Sequence, residues 1–460
     1  MLLPVTAPVA AADEPEGPSA VAFTQSPGAS VPSLADLNGD RLNDLARASA
    51  ADEQTLTPSG TMGPAAAYGR AAPASTVARA GSVESDVSSS AAIYPAPARS
   101  MTLAECKGKL GGSKEFYLKS RFAVCSGKQR TVGWVRSGSG SVIGQSTYSL
   151  YVVATVPKVT DRTMHITYYF RDFKKTGTTE TKGLMNTLKP TLPQIWPSRA
   201  RAVQGGNLPD IAKSWDALAR NGGAEFRHTV RFAPGQGSGS LDAIFAVYQP
   251  RVKMRLPAGW VSQPGGQGRD LPDLKPFMLA PRWDAAKYLK NSTGGGNPAK
   301  RGAATFSYSV PLVYRNRDGA PEQKVAEHIR HAFIVPDDTK PYMSAKKVPG
   351  QKLSDPLHRT RDKGRNEDNG KAAIAQCKRY WGPNYTEGGK KECDEYPFRS
   401  TLEGAAEHQY DPDARKFNFS SRPVLKKHNE SAGHLLKGYY AKNRILADTE
   451  DDGFLVKITS

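Results

Sequence analysis

The chain has 460 residues and carries 63 Lys+Arg against 44 Asp+Glu, a formal net charge of +19. That length accommodates two or three domains with a sizeable core, and the basic surplus predicts attraction to polyanions, either nucleic acid or acidic cell-surface polymers. No apolar run reaches the roughly 18–20 residues of a membrane span, and the four cysteines show no C-x-x-C or C-x-x-H spacing, which argues against a zinc site.

The opening residues, MLLPVTAPVAAADEP, read as the tail of a secretory signal, with Ala10, Ala11 and Ala12 as the small residues that cleavage requires. The basic stretch that normally opens such a signal is missing. From residue 13 to about 95 the chain is rich in Ala, Ser, Pro and Gly with few aromatics. Such a segment buries too little apolar surface to offset its ordering entropy, and is expected to be mostly disordered, a linker or pro-region. One island interrupts it. Asp36, Asn38, Asp40 and Asp44 alternate around Gly39 as oxygen ligands of calcium do. This run resembles the calcium loop of FG-GAP or dockerin repeats, but it occurs once, and Arg47 stands where an EF-hand has its bidentate Glu. A Ca²⁺ loop and a plain acidic turn both remain open.

From about 101 to 350 the pattern is that of a mainly-β, sandwich-like domain. Tyr148–Val156, His165–Phe170, Phe226–Phe232, Ala243–Tyr248, Phe306–Tyr314 and His331–Val335 are short, β-branched or aromatic, and separated by Gly, Pro and Asn/Asp clusters. One helix is expected over Leu208–Arg220. Aromatic residues on these strands fit either a core or a polymer-binding face. A charged connector, Gln351–Asn369, leads to a helical stretch at Ala372–Tyr380. The cysteines fall into two local pairs, Cys106/Cys125 and Cys377/Cys393, which suits disulfides in an exported protein.

The last stretch carries the chemistry. It reads CKRYWGPNYTEGGKKECDEYPFRSTLEGAAEH and then RPVLKKHNESAGHLLKGYYAKNRIL. The expected elements are a strand at Glu392–Phe398, a short helix or turn at Thr401–His408, a strand at Pro423–His428, a helix at Glu430–Lys442 and a strand at Phe454–Ile458. Strand alternation puts Asp394 and Glu395 on opposite faces. If Cys393 turns inward into a disulfide, Glu395 goes with it and Asp394 faces a cleft. Glu403 and Glu407, four apart, would share a helix face. Asn429 suits the mouth of the following helix.

Cys393-Asp394-Glu395-Tyr396-Pro397-Phe398, Ser400-Thr401, Glu403-Gly404-Ala405, Asn429 with Ala432-Gly433, Arg444-Ile445-Leu446 and Gly453-Phe454, preceded by Pro356-Leu357-His358-Arg359, resemble the secreted NucA/NucB deoxyribonucleases over about residues 355–460. The resemblance implies a small α+β nuclease domain of the ββα-metal type, with Asp in place of the usual catalytic His. It also implies DNA as substrate and Mg²⁺ or Mn²⁺ as cofactor. On that reading Asp394 is the general base, with Glu395, Asn429 and His434 as further catalytic candidates and Glu403, Glu407 and Asn429 as metal ligands, Glu395 being a further oxygen donor. Lys390, Lys391, Lys426, Lys427 and Arg444 would contact phosphates. The expected protein is therefore a secreted, metal-dependent, non-specific endonuclease. Nutrient recovery, biofilm degradation and toxicity are all compatible roles, and a toxin would need an immunity protein. The competing reading is a cell-envelope adhesion or polymer-binding protein with a degenerate nuclease tail.

Overall fold

The computed structural model describes residues 17–56, 93–112, 114–158, 162–264, 268–289 and 302–460. Ala10, Ala11 and Ala12 lie outside them. In chain order the elements are β1 (Ser19–Gln25), α1 (Gly39–Leu56), α2 (Leu103–Lys109), β2 (Phe116–Ser120), β3 (Ala123–Val135), β4 (Val142–Thr155), β5 (Thr163–Gly177), β6 (Met185–Leu188), β7 (Thr191–Trp196), β8 (Ala202–Gly206), β9 (Lys213–Ser214), α3 (Trp215–Ala219), β10 (Glu225–Phe232), β11 (Ile244–Gln249), β12 (Val252–Arg255), β13 (Val261–Gln263), β14 (Asp270–Leu274), β15 (Pro281–Asp284) and β16 (Ala303–Phe306). The C-terminal part adds β17 (Leu312–Arg315), α4 (Gln323–Ile334), α5 (Lys363–Trp381), β18 (Lys391–Tyr396), β19 (Ser420–Leu425), α6 (Lys426–Lys442) and β20 (Val456–Thr459).

The first part is mostly β. An eight-stranded sheet runs β13-β1-β3-β4-β5-β10-β8, with β2 also on β3, and two four-stranded sheets run β16-β15-β11-β7 and β14-β12-β6-β9. Alternation along the long strands sends Val132 and Trp134, Leu150, Val152 and Ala154, and Met164, Ile166, Tyr168 and Phe170 into one core. Ile244 and Ala246 of β11, Val252 and Met254 of β12, and Trp283 of β15 fill the same core from the smaller sheets. The other face of the large sheet is covered by α1, through Leu42 and Ala46, and by α2, which the Cys106–Cys125 disulfide ties to β3. Gly133 lets Leu42 of α1 approach the sheet closely, since a Cβ there would meet Leu42 Cδ1 at 2.6 Å and push that side chain aside.

Several expectations change. Residues 17–56 are not a disordered segment but form β1 and α1. β1 sits inside the large sheet, antiparallel to β3 and parallel to β13. Its two faces enter two cores, Ala20 and Ala22 on one side and Val21 and Phe23 on the other. A strand buried on both faces shows no polar alternation, which hides it in an Ala-rich stretch. The calcium candidates are also placed differently. Asn38 caps α1, its Oδ1 accepting the Arg41 N–H at 2.8 Å. Asp40 and Asp44 ride on that helix, and Asp44 pairs with Arg47 at 2.5 Å. Asp36 accepts from Ser33. No calcium site is proposed there. The helix expected over Leu208–Arg220 shrinks to α3, opened by the Ser214 cap on the Ala217 N–H.

β17 and α4 pack with the C-terminal elements. His331–Val335 is not a strand; all but its last residue close α4, whose Val325, Ala326, Ile329 and Ala332 make a helical stripe. Phe306–Tyr314 is split between β16 and β17, and β17 pairs in parallel with the C-terminal β20. Leu312, Tyr314 and the α4 stripe share a core with Tyr396, Phe398, Leu435, Tyr439, Tyr440 and Phe454. β18 and β19 form an antiparallel hairpin and α6 follows directly. The Cys377–Cys393 disulfide fastens α5 to that hairpin. Closing a loop of this length stabilises a fold by about 3 kcal/mol on the chain-entropy model. Cys393→Ser should lower unfolding stability by that order in a denaturant titration.

The two parts meet through buried charge. Arg121 reaches Asp452 at 2.6 Å, Arg282 reaches Asp452 at 2.7 Å, and Arg444 reaches Asp284 at 2.6 Å. All five side chains are at most 5 % exposed. Arg121 also donates to the Asn443 carbonyl and Arg282 to the Arg444 carbonyl. Among the described residues no helix is long and apolar enough to cross a membrane.

Candidate active site

Three elements bring the chemistry together. β18 presents Glu392, Asp394 and Tyr396 on one face by strand alternation. α4 crosses that face and places His328 against it. His328 Nδ1 lies 2.6 Å from Asp394 Oδ2, and its Nε2 lies 2.7 Å from Ser420 Oγ at the start of β19. With Asp394 ionised, Nδ1 donates to the carboxylate, and Nε2 is engaged with the serine hydroxyl. The histidine is 1 % exposed and Asp394 6 %. Asp394 thus points toward α4, whereas Glu395 shares the opposite face with Cys393 and is half-buried. This reverses the expected orientation. The cystine turns toward α5, not toward the main core, because α5 lies on the other side of the hairpin.

Asn429 also reaches this face. α6 starts at Lys426, so Asn429 stands in its first turn and is not the cap. Its Nδ2 donates to Glu392 Oε2 at 3.0 Å, two residues before Asp394 on the same strand face. Lys426 Nζ approaches Glu392 Oε1 at 3.7 Å. The carboxylate next to the disulfide and the amide at the helix start therefore share one strand face. Glu392, which the sequence reading passed over, is the link between them.

Glu403 and Glu407 lie elsewhere, in turns and a short 3-10 segment and not on a common helix face. Glu403 accepts the His358 N–H at 2.9 Å and its ring Nδ1 at 2.7 Å. Burial lowers the His358 pKa, but the Glu403 bond and charge outweigh it and leave it above the ordinary value. Burial and the Glu403 charge push Glu407 up to about 7. Burial and the Asp394 charge push Glu395 up to about 8. A carboxyl raised this way keeps its proton in the folded chain after the unfolded chain has lost it. Stability therefore falls with rising pH between the ordinary 4.5 and about 8 for Glu395. In Glu395→Gln, the thermal midpoint should decline less steeply across that window than in wild type.

The remaining candidates separate. His434 is on the exposed face of α6. Lys390 and Lys427 are exposed. Lys391 pairs with Glu387 at 2.5 Å. Arg444 does not reach solvent: it is 3 % exposed and grips Asp284 through Nε and Nη2. A buried bidentate ion pair cannot also hold a phosphate, so Arg444 leaves the DNA-contact set. Among the described residues no three His, Cys, Asp or Glu side chains are gathered as a metal cluster.

Residues 346–454 match the family model of deoxyribonuclease NucA/NucB. The matched stretch contains β18, β19, α5 and α6, and it marks this part of the chain as a deoxyribonuclease domain. Comparison with curated proteins and with solved structures gave no match. His328 lies before the NucA/NucB match, in α4, yet its ring meets the Asp394 carboxylate inside it. The expected run of residues missed it because a single buried histidine in a helix carries no local signal. Only the helical spacing of Val325, Ala326, Ile329 and Ala332 would have set α4 beside the hairpin.

Proposed function

We propose that the C-terminal unit is a metal-dependent endonuclease that hydrolyses DNA without sequence preference, with Asp394 as the general base. The observation that carries this reading is the Asp394–His328–Ser420 chain on a hairpin inside the matched deoxyribonuclease region. Asp394 takes a proton from the water that attacks phosphorus. His328 has both ring nitrogens engaged, so it positions the carboxylate and does not meet the water. The succession β18, β19, α6, with Asp394 on the first strand and Asn429 in the first helical turn, supports a ββα-metal-type arrangement.

A divalent ion fits the donor chemistry. Mg²⁺ or Mn²⁺ takes hard oxygens, commonly one or two protein groups with the rest from water and substrate phosphate. Glu392 and Asn429, already in contact on the Asp394 face, would hold it; Glu403 is occupied by His358. When bound, the ion would neutralise charge on the phosphate and leaving oxygen. Exposed Lys390 and Lys427 would contact the DNA backbone. Two disulfides and the family match support export from the cell.

The test is incubation of the full chain with supercoiled plasmid. Nicking is expected with Mg²⁺ or Mn²⁺ and should stop in EDTA. No cleavage with any divalent metal, together with salt-sensitive retention of DNA or glycan, would instead favour the polymer-binding reading.

A further inference from the structure

The mechanism leaves unused a set of exposed aromatic rings beside the hairpin. Tyr342 is 53 % exposed and Trp381 is 40 % exposed. Tyr380 bridges them, its ring centroid 5.9 Å from Tyr342 and 6.1 Å from Trp381. Lys340 Nζ lies 3.2 Å from the Tyr342 centroid, and the Arg379 guanidinium lies 5.5 Å from that of Tyr380. Lys378 and Arg379 are exposed in the same last turn of α5.

This shelf is built rigidly. The buried Lys346 ammonium donates to Thr339 O at 3.1 Å, Thr339 Oγ1 at 2.9 Å and Pro341 O at 2.5 Å, closing the loop that presents Tyr342. Asp337 accepts the Lys346 N–H at 2.6 Å, and Arg415 holds the Ser344 and Ala345 carbonyls. Both ends of the shelf are fixed to the hairpin that carries Asp394. The Ser421 N–H donates to Lys340 O at 2.7 Å, next to the Ser420 that holds His328. At the other end Cys377, one turn before Tyr380 and Trp381, is bonded to Cys393, the neighbour of Asp394.

We propose that Tyr342, Tyr380 and Trp381, flanked by Lys340, Lys378 and Arg379, form a stacking shelf for the bases of an unpaired DNA strand beside the hairpin that carries Asp394. Every base has a π-face, so rings on a preorganised loop bind a strand without reading its sequence, and the cations match its phosphates. Large aromatic side chains held out of a core by this many bonds lose apolar contact in the free protein, which a stacked base would restore. The proposal rests on the nuclease reading for its substrate.

The experiment is fluorescence anisotropy of a labelled, phosphorothioate-protected oligothymidylate and of a blunt duplex, in EDTA, with the full chain. Tyr342→Ala and Trp381→Ala should each weaken single-strand binding about 5- to 150-fold, the range of one lost base stack, with a much smaller effect on duplex. Tyr342→Phe and Trp381→Phe should retain affinity. Should Trp381→Ala disturb the helix end by circular dichroism, Tyr342→Ala on its exposed loop decides alone. Single-strand binding unchanged in the double variant overturns the shelf and leaves the rings to a protein partner; equal losses for strand and duplex also overturn it. Shelf-dependent binding without plasmid nicking by wild type would sink the nuclease reading alone. Nicking with unaltered binding in the shelf variants would sink the shelf alone.

Discussion

Plasmid nicking by Asp394→Asn is expected to fall about 10²–10⁴-fold below wild type, the usual contribution of a positioned general base. The substitution keeps size and shape but removes the basic oxygen. Asp394 lies under α4 with its Oδ2 fixed by His328, so the amide has little room to be replaced by water. The loss should appear in kcat more than in KM, because DNA contacts on the outer surface are untouched. His328→Asn tests the support. It removes the ring that fixes the carboxylate while leaving Asp394 in place, and should also lower kcat, with a changed pH profile of nicking. An Asp394→Asn chain as active as wild type would remove the general-base assignment.

The second large effect concerns stability. Asp452→Ala should lower the free energy of unfolding by about 3–5 kcal/mol, because it takes the carboxylate from buried Arg121 and one of two carboxylates from Arg282, which keeps Asp284. Arg121 and Arg282 both end on Asp452, and neither reaches solvent. Their pull outweighs burial and holds the Asp452 carboxyl below the ordinary carboxylate range. Its contribution is therefore present at neutral pH and is lost as pH falls through that lowered value. A surface pair is the control: Lys324→Ala breaks the Lys324–Glu327 contact and should change stability by about 0–1 kcal/mol. Denaturant titration of both variants checks the contrast. A loss in Asp452→Ala no greater than in the control would show that the two parts do not depend on this network.

The sequence was readable where a feature is local. The CDEYPF run, the two cysteine pairs and the strands with clear alternation all appear where expected. The same reading failed where the deciding partner is remote. Arg444 looks like any basic residue near a nucleic-acid site until Asp284, far upstream, is folded onto it. His328 lies 66 positions before Asp394, just ahead of the HAFIV run expected to be a strand. Glu392 was overlooked because its charge pairs with Lys426 and Asn429 only across the hairpin and helix. Helix ends shifted for a simpler reason: the Asp362 cap starts α5 nine residues before the expected Ala372.

The position of β1 bears on how the chain tolerates trimming. It occupies an interior lane of the large sheet, with seven register partners on β3. An N-terminal truncation that removed it, as if it were a dispensable leader, would strip β3 of a neighbour and bare a row of unsatisfied amides and carbonyls. Such a border recruits strands from other molecules. A shortened chain would then self-associate, even with every residue of the hydrolytic centre intact.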